Sequence, residues 1–333
     1  MHFAMPPRKT SRPPPYAARN QSSVRIPPAL KNLLRRDKLR LVVVGALGFF
    51  TLLWLFGWIG GGSSSNSVLP GGVASTISLI GTGPAVVIVT VIDPQANPAW
   101  TERIKKNREE YAKKHGYLTF FANASDYPLR NSPPSWAKVP AVRHAMTRNP
   151  GSTFFWYLDS TALIMNPSID IHAHVLAPSR LEKLMIINQP VVPPDSVIKT
   201  FSNLKPDRID VIVTQDKDGL SQSSWIVRNG DWARYFLDAW FDPIYRSYNF
   251  QKAEQHALEH IVQWHGTILA KLAMVSQDTI NGYHASDLAN ANHGTYKDGD
   301  LVANFYGCDR EKRSCADEQQ PFFAILEEAK NKD

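Results

Sequence analysis

The sequence predicts an α/β domain with a mixed, mostly parallel sheet, preceded by one transmembrane helix. Three observations lead there. Ala85–Asp93 (AVVIVTVID) is a continuous β-branched run, the pattern of a strand buried on both faces. Further apolar segments, Tyr117–Phe121 and Phe154–Leu158, alternate with stretches of helical spacing, as in a parallel sheet with crossover helices. Leu41–Gly60 (LVVVGALGFFTLLWLFGWIG) carries no charge over a length that spans the hydrocarbon core.

Four segments follow in order. Residues 1–40 hold ten Lys or Arg against one acid, Asp37, and their Pro, Ser and Arg content predicts disorder over residues 1–30. Residues 41–60 read as an uncleaved anchor, because a signal peptide has a shorter apolar core nearer Met1 and a small-residue cleavage site. The basic side stays cytosolic, which places the C-terminal part in the lumen, and a span this short suits a thin early secretory membrane. Residues 61–83, rich in Gly and Ser, read as a flexible stem. Residues 84–333 form the lumenal domain. The net charge of +7 belongs to the tail: from position 41 onwards 27 basic residues face 29 acids. A nucleic-acid binder concentrates positive charge on its folded face, so nucleic acid is excluded as a partner.

Within the domain, helical spacing covers Trp100–His115, with Gly116 as a C-cap, and Trp136–Arg148, stopped by Asn149-Pro150-Gly151. Asp210–Thr214 and Ser224–Arg228 read as strands around a polar loop, Gln215–Ser223. Asp231–Trp240, with Asp231 as N-cap, and Ala253–Trp264 read as helices, and Ala289–Cys315 as loop. No G-x-G-x-x-G follows the first strand, so a dinucleotide redox site has no support.

Asp159 ends the strand Phe154–Leu158, where open α/β sheets bind ligands. Asp216 and Asp218, in Gln215-Asp216-Lys217-Asp218-Gly219, are either a turn or acids that orient a sugar hydroxyl. Lys138 and Arg143 share one helix and either pair with phosphate or solvate it. His256, His260 and His265 lack a His-Glu-x-x-His pattern and read as structural. Trp225, Trp232, Tyr235, Phe236 and Trp240 read as core. Cys308 and Cys315 lie on the lumenal side, where disulfides persist; a bridge would close the loop CDREKRSC, and two free thiols are the alternative. Asn123-Ala124-Ser125 is a lumenal glycosylation sequon, whereas Asn20-Gln21-Ser22 falls in the cytosolic tail.

The run WAKVPAVRHAMTRNP…FFWYLDSTALIMNPSIDI resembles glycosyltransferase family 34, which includes fungal Golgi α-1,6-mannosyltransferase subunits, α-galactosyltransferases and plant xyloglucan xylosyltransferases. NREEYAKKHGY, TQDKDGLSQSSWIVRNGDWARYFLDAWFDPIYRSYNFQKAEQHALEHIVQWH and GDLVANFYGC extend the resemblance from about Val86 to Cys315. VVPPDSVIKTF and DPIYRSYNFQKAE look most similar to the mannan-polymerase subunits of filamentous fungi. The resemblance implies a GT-A fold, a GDP-mannose donor, Mn2+, retention of anomeric configuration and a mannan or N-glycan acceptor. It also implies residence in the Golgi membrane beside other mannosyltransferase subunits.

Carried over residue by residue, the resemblance assigns Asp216 and Asp218 to catalysis. Asp159, Thr161, Lys138 and Arg143 go to the donor, Gly219 and Ser221 to the acceptor, and Asp159 and Asn304 to the metal. The family's Asp-x-Asp is Asp159-Ser160-Thr161 here, and its metal-binding His falls on Asn304. A Gly-Ser pair becomes Ser223-Ser224, and a Gln-Arg becomes Gln277-Asp278. With Thr161 and Asn304 in place of stronger ligands, Mn2+ affinity is expected to fall steeply. Two functions follow as expectations: a retaining α-1,6-mannosyltransferase subunit, or a non-catalytic structural subunit of the same assembly.

Overall fold

A computed structural model of the chain describes residues 83–193, 196–248, 250–291, 293–310 and 312–331. The tail, anchor and nearly all of the stem expected at 1–40, 41–60 and 61–83 lie outside the described residues. No helix among the described residues is long and apolar enough to cross a membrane.

The main sheet has six strands in the order β2-β1-β3-β6-β5-β7. They are β1 (Val86–Ile92), β2 (Leu118–Asn123), β3 (Phe154–Leu158), β5 (Val211–Gln215), β6 (Leu220–Arg228) and β7 (Leu272–Val275). β1 pairs in parallel with both β2 and β3, and β5 in parallel with β7. β6 runs antiparallel to both β3 and β5, which makes the sheet mixed. A second sheet, β4-β9-β8, joins β4 (Ala162–Ile164), β8 (Gly282–Tyr283) and β9 (Val302–Asn304).

Nine α-helices flank the sheets among the described residues: α1 (Pro98–His115), α2 (Lys138–Arg148), α3 (Pro178–Leu184), α4 (Asp231–Trp240), α5 (Pro243–Ser247), α6 (Ala253–Trp264), α7 (Gly266–Leu269), α8 (Gln277–Ile280) and α9 (Cys315–Lys330). The continuous apolar strands are explained by burial on both sides. Val87, Val89, Phe155 and Tyr157 pack into one core with α2, α4 and α6, while Val86, Ile88, Trp156 and Leu158 pack into another with Tyr111 and Ala112 of α1.

Local chemistry sets the element ends. The Asn97 side chain accepts from the Ala99 and Trp100 amides to start α1, and Gly116 closes it at φ 68°. Several expectations are corrected. The segment from Trp136 begins as a 3-10 turn, Pro134–Ala137, so α2 starts at Lys138. The N-cap of α4 is Gly230, and Asp231 sits in the first turn. β6 begins at Leu220, which shrinks the polar loop to a tight turn closed by the Asp216 amide on the Gly219 carbonyl at 2.9 Å. Ala289–Cys315 contains a fully buried strand, β9. Of the five aromatics read as core, Trp225, Phe236 and Trp240 are buried and Trp232 packs against them, but Tyr235 is half exposed.

Candidate functional site

The strand order reverses direction between β1 and β3, and ligands of open α/β sheets bind outside the carboxyl ends of strands at such a point. A cleft of about 670 Å3 opens there. Asp93, just past β1, and Asp159, just past β3, both line it.

The turn carrying Asp159 is held from three sides. Arg108 of α1 is fully buried and donates to the Asp159 carbonyl at 2.8 Å and to the Ala162 carbonyl; burial pushes its guanidinium down to about 9 despite the nearby Asp159 charge. Asn107 donates to the Ile164 carbonyl and accepts from its amide. From α9, Gln319 donates to the Thr161 carbonyl at 3.0 Å, and from β6 the Ser223 carbonyl accepts the Asp159 amide at 2.8 Å.

At the front of the cleft the polar groups are charged. Lys138 Nζ lies 2.9 Å from Glu254 and 3.8 Å from Asp159. Burial alone would push this ammonium down, but the two carboxylates outweigh it and hold Lys138 above its ordinary value. Glu254 is likewise driven up by burial but pulled below its usual range by Lys138 and Ser135. Tyr157 donates weakly to Asp159 at 3.5 Å, and burial beside Asp159 raises its hydroxyl well above the normal phenol range. At the rim, Lys252 pairs with Asp218 at 3.0 Å. Arg310 covers the ring of Tyr306 at 5.0 Å.

Behind this front lies an almost uncharged chain of hydrogen bonds. Thr161 Oγ1 donates to Asn304 Oδ1 at 2.9 Å, and Asn304 Nδ2 donates to Asn281 Oδ1 at 2.7 Å. Asn281 Nδ2 donates to Ser221 Oγ at 2.9 Å and to Thr214 Oγ1 at 3.2 Å. The chain ends where Tyr283 donates to Asp216 at 2.8 Å, its hydroxyl 3.3 Å from that of Ser221. Asp216 also accepts the Asp218 and Gly219 amides; burial raises its carboxyl, and these donors only partly offset that.

A model of the galactosyl transferase GMA12/MNN10 family matches residues 82–316. The chain belongs to that family. An uncharacterized α-1,2-galactosyltransferase of Schizosaccharomyces pombe is 33% identical over 64% of this chain and 64% of its own length. A second from the same yeast is 30% identical over 72% of this chain and 65% of its own length. A Saccharomyces cerevisiae protein named a probable α-1,6-mannosyltransferase is 29% identical over 71% of this chain and 60% of its own length. The matches thus span less than two thirds of these relatives. A solved glycosyltransferase involved in the glycosylation of the major capsid of PBCV-1 superposes at a TM-score of 0.49 and 13% identity, over 72% of this chain and 100% of that chain.

The positions that the family resemblance marks are not all in the cleft. Asp159, Thr161, Lys138 and Asp218 line it. Arg143 does not: it sits elsewhere on α2 and faces Asp238 of α4 at 3.6 Å. Ser221 and Asp216 are buried and committed to the hydrogen-bond chain, so neither presents a free group to an acceptor. Gly219 is buried at φ 146°, and a Cβ there would strike Glu259. The Mn2+ ligand set does not fit. Of the three positions only Asp159 is a carboxylate; Thr161 and Asn304 offer neutral oxygens bonded to each other at 2.9 Å, a poor donor set for Mn2+, and no group of three or more His, Cys, Asp or Glu among the described residues suits a metal. His256, His260 and His265 assemble no such group either. Cys308 and Cys315 form a disulfide, and Asn123 is exposed with its Oδ1 accepting from Ser125.

The sequence analysis gave no role to Glu254, Lys252, Tyr306 and Arg310, which line the cleft, or to Asn281 and Tyr283 behind it. The signal was present for four of them. Lys252 and Glu254 end the family-like stretch DPIYRSYNFQKAE, while Tyr306 and Arg310 fall in and beside NFYGC.

Proposed function

We propose that this chain is a subunit of a Golgi α-1,6-mannosyltransferase that takes GDP-mannose in the cleft and transfers mannose, with retention, to a mannan or N-glycan acceptor. The observation that carries the reading is Asp159 at the carboxyl end of β3, beside the buried Lys138, in a chain of this family. Mannose rather than galactose is drawn from VVPPDSVIKTF and DPIYRSYNFQKAE, the stretches most similar to mannan-polymerase subunits.

In this reading Lys138 and Asp159 face the donor, and Asp218 is the acid of its loop that reaches the acceptor side. Asp216 keeps that loop in shape through its amide and Tyr283 bonds. The charge-free run 41–60 behind a basic tail supports a single-pass type II anchor, with partner transferases in the same membrane. The Cys308–Cys315 bridge and the exposed sequon at Asn123 suit a lumenal domain.

A second reading is favoured by one observation: Thr161 and Asn304, the positions that the resemblance assigns to the metal site, bond to each other. The chain would then be a structural subunit that keeps the fold and does not turn over. Full-length protein in mild detergent, incubated with labelled GDP-mannose or UDP-galactose and an α-mannoside acceptor, separates the readings. Transfer from GDP-mannose supports the first. Donor binding without transfer supports the second, and transfer from UDP-galactose alone overturns the choice of donor.

A further inference from the structure

We infer that the cleft binds the donor's diphosphate without a divalent ion and that Arg310 is the cation that receives it. The inference rests on the donor-cleft reading above. It begins with the cations that line the cleft: Lys138, Lys252 and Arg310. Lys138 is held by Glu254 and Asp159, and Lys252 by Asp218. A phosphate approaching either meets a carboxylate as well. Arg310 differs, since among the described residues no carboxylate lies within ion-pair distance of its guanidinium, whose contact is the face of Tyr306 at 5.0 Å.

The loop holds that guanidinium at the mouth. Gly307 has φ 77°, a left-handed conformation that favours glycine, and a Cβ there would come within 3.2 Å of Arg310 Nε. The Arg310 amide closes a turn on the Gly307 carbonyl at 3.1 Å, and the Cys308–Cys315 bridge closes the loop around it. A guanidinium offers a planar fork of donors that matches phosphate oxygens while staying stacked on an aromatic ring. The back of the cleft supplies no alternative, because Thr161 and Asn304 satisfy each other. Charge developing on the diphosphate is therefore met by a side chain that belongs to the fold.

The test is titration of the full-length protein in detergent with GDP and, separately, with inorganic pyrophosphate, in EDTA and then in Mn2+. GDP affinity is expected to agree within about twofold between the two buffers. Arg310→Ala is expected to weaken both ligands by about tenfold or more, and Arg310→Lys by less. Arg310 is exposed, so the fold should tolerate both changes; should the alanine variant unfold, Arg310→Gln makes the same comparison. GDP binding that appears only with Mn2+, or that ignores the loss of Arg310, overturns the inference and leaves the donor cleft standing. Absence of GDP binding in either buffer overturns the cleft reading, and this inference with it.

Discussion

The front and the back of the cleft are built from different chemistry. At the front, Lys138 and Glu254 are an ion pair whose side chains are 6% and 2% exposed, so each depends on the other for compensation. At the back, Thr161, Asn304, Asn281, Ser221 and Tyr283 satisfy one another with neutral groups and leave Asp216 as the one charge. The front carries the charged groups that a charged ligand meets, and Arg310 is the cation there that no described carboxylate holds. At the back each of these side chains already has a hydrogen-bond partner and is buried, which makes it structural. Binding is therefore assigned to the front and rigidity to the back.

The largest effect should come from splitting the front. Lys138→Met leaves Glu254 buried without its cation, and loss of one partner of a buried pair costs about 3–5 kcal/mol. A urea midpoint should fall accordingly, and adding Glu254→Leu should recover much of the loss. Recovery would show that the penalty lies in the orphaned charge.

Glu259 is a second buried carboxyl, beside the turn that carries Asp216. It accepts from the Leu220 amide and Gln255, and burial raises its carboxyl from 4.5 to about 7. A raised carboxyl means that the folded chain holds the proton more tightly than the unfolded chain. Its contribution is therefore full below the unfolded value and is lost as pH rises through about 7. Glu259→Gln should flatten the stability profile between these values and stabilise the protein above them, by up to about 3 kcal/mol. An unchanged profile would mean that Glu259 is ionised inside the fold.

Cutting the neutral chain itself should cost less. Asn304→Ala removes the acceptor for Thr161 and the donor to Asn281, and leaving such partners unsatisfied costs about 1–3 kcal/mol. This loss should barely depend on salt. The smallest effect belongs to the rim, where Lys252 and Asp218 are each more than a third exposed. Lys252→Ala should change stability by no more than about 1 kcal/mol, and added salt should shrink the difference.

The sequence was most legible where periodicity and caps agree. Val86–Ile92, Phe154–Leu158 and α1 with Gly116 stand almost where expected, because double-sided burial writes an unbroken apolar run and a left-handed cap selects glycine. Asp159 was legible for the same reason, as the first acid after such a strand. β4, β8 and β9 were not, since strands this short hold too few residues to show a period, and their pairing joins segments far apart in sequence. The site was half legible. Arg143 and Lys138 lie on one helix, yet only a tertiary contact distinguishes the residue facing Glu254 from the one facing Asp238. Asp216 and Ser221 resembled binding groups by type, and their burial became visible only once Tyr283 and Asn281 were brought against them.

Hydrogen-deuterium exchange of the full-length protein with and without millimolar GDP-mannose tests the division between front and back most directly. The account predicts protection in peptides covering residues 133–138, 157–161, 251–255 and 305–310, with the buried strand 211–215 unchanged. Protection confined to the separate depression between α1 and α9, around Arg103, Lys114 and Phe323, or none anywhere at saturating donor, would contradict it.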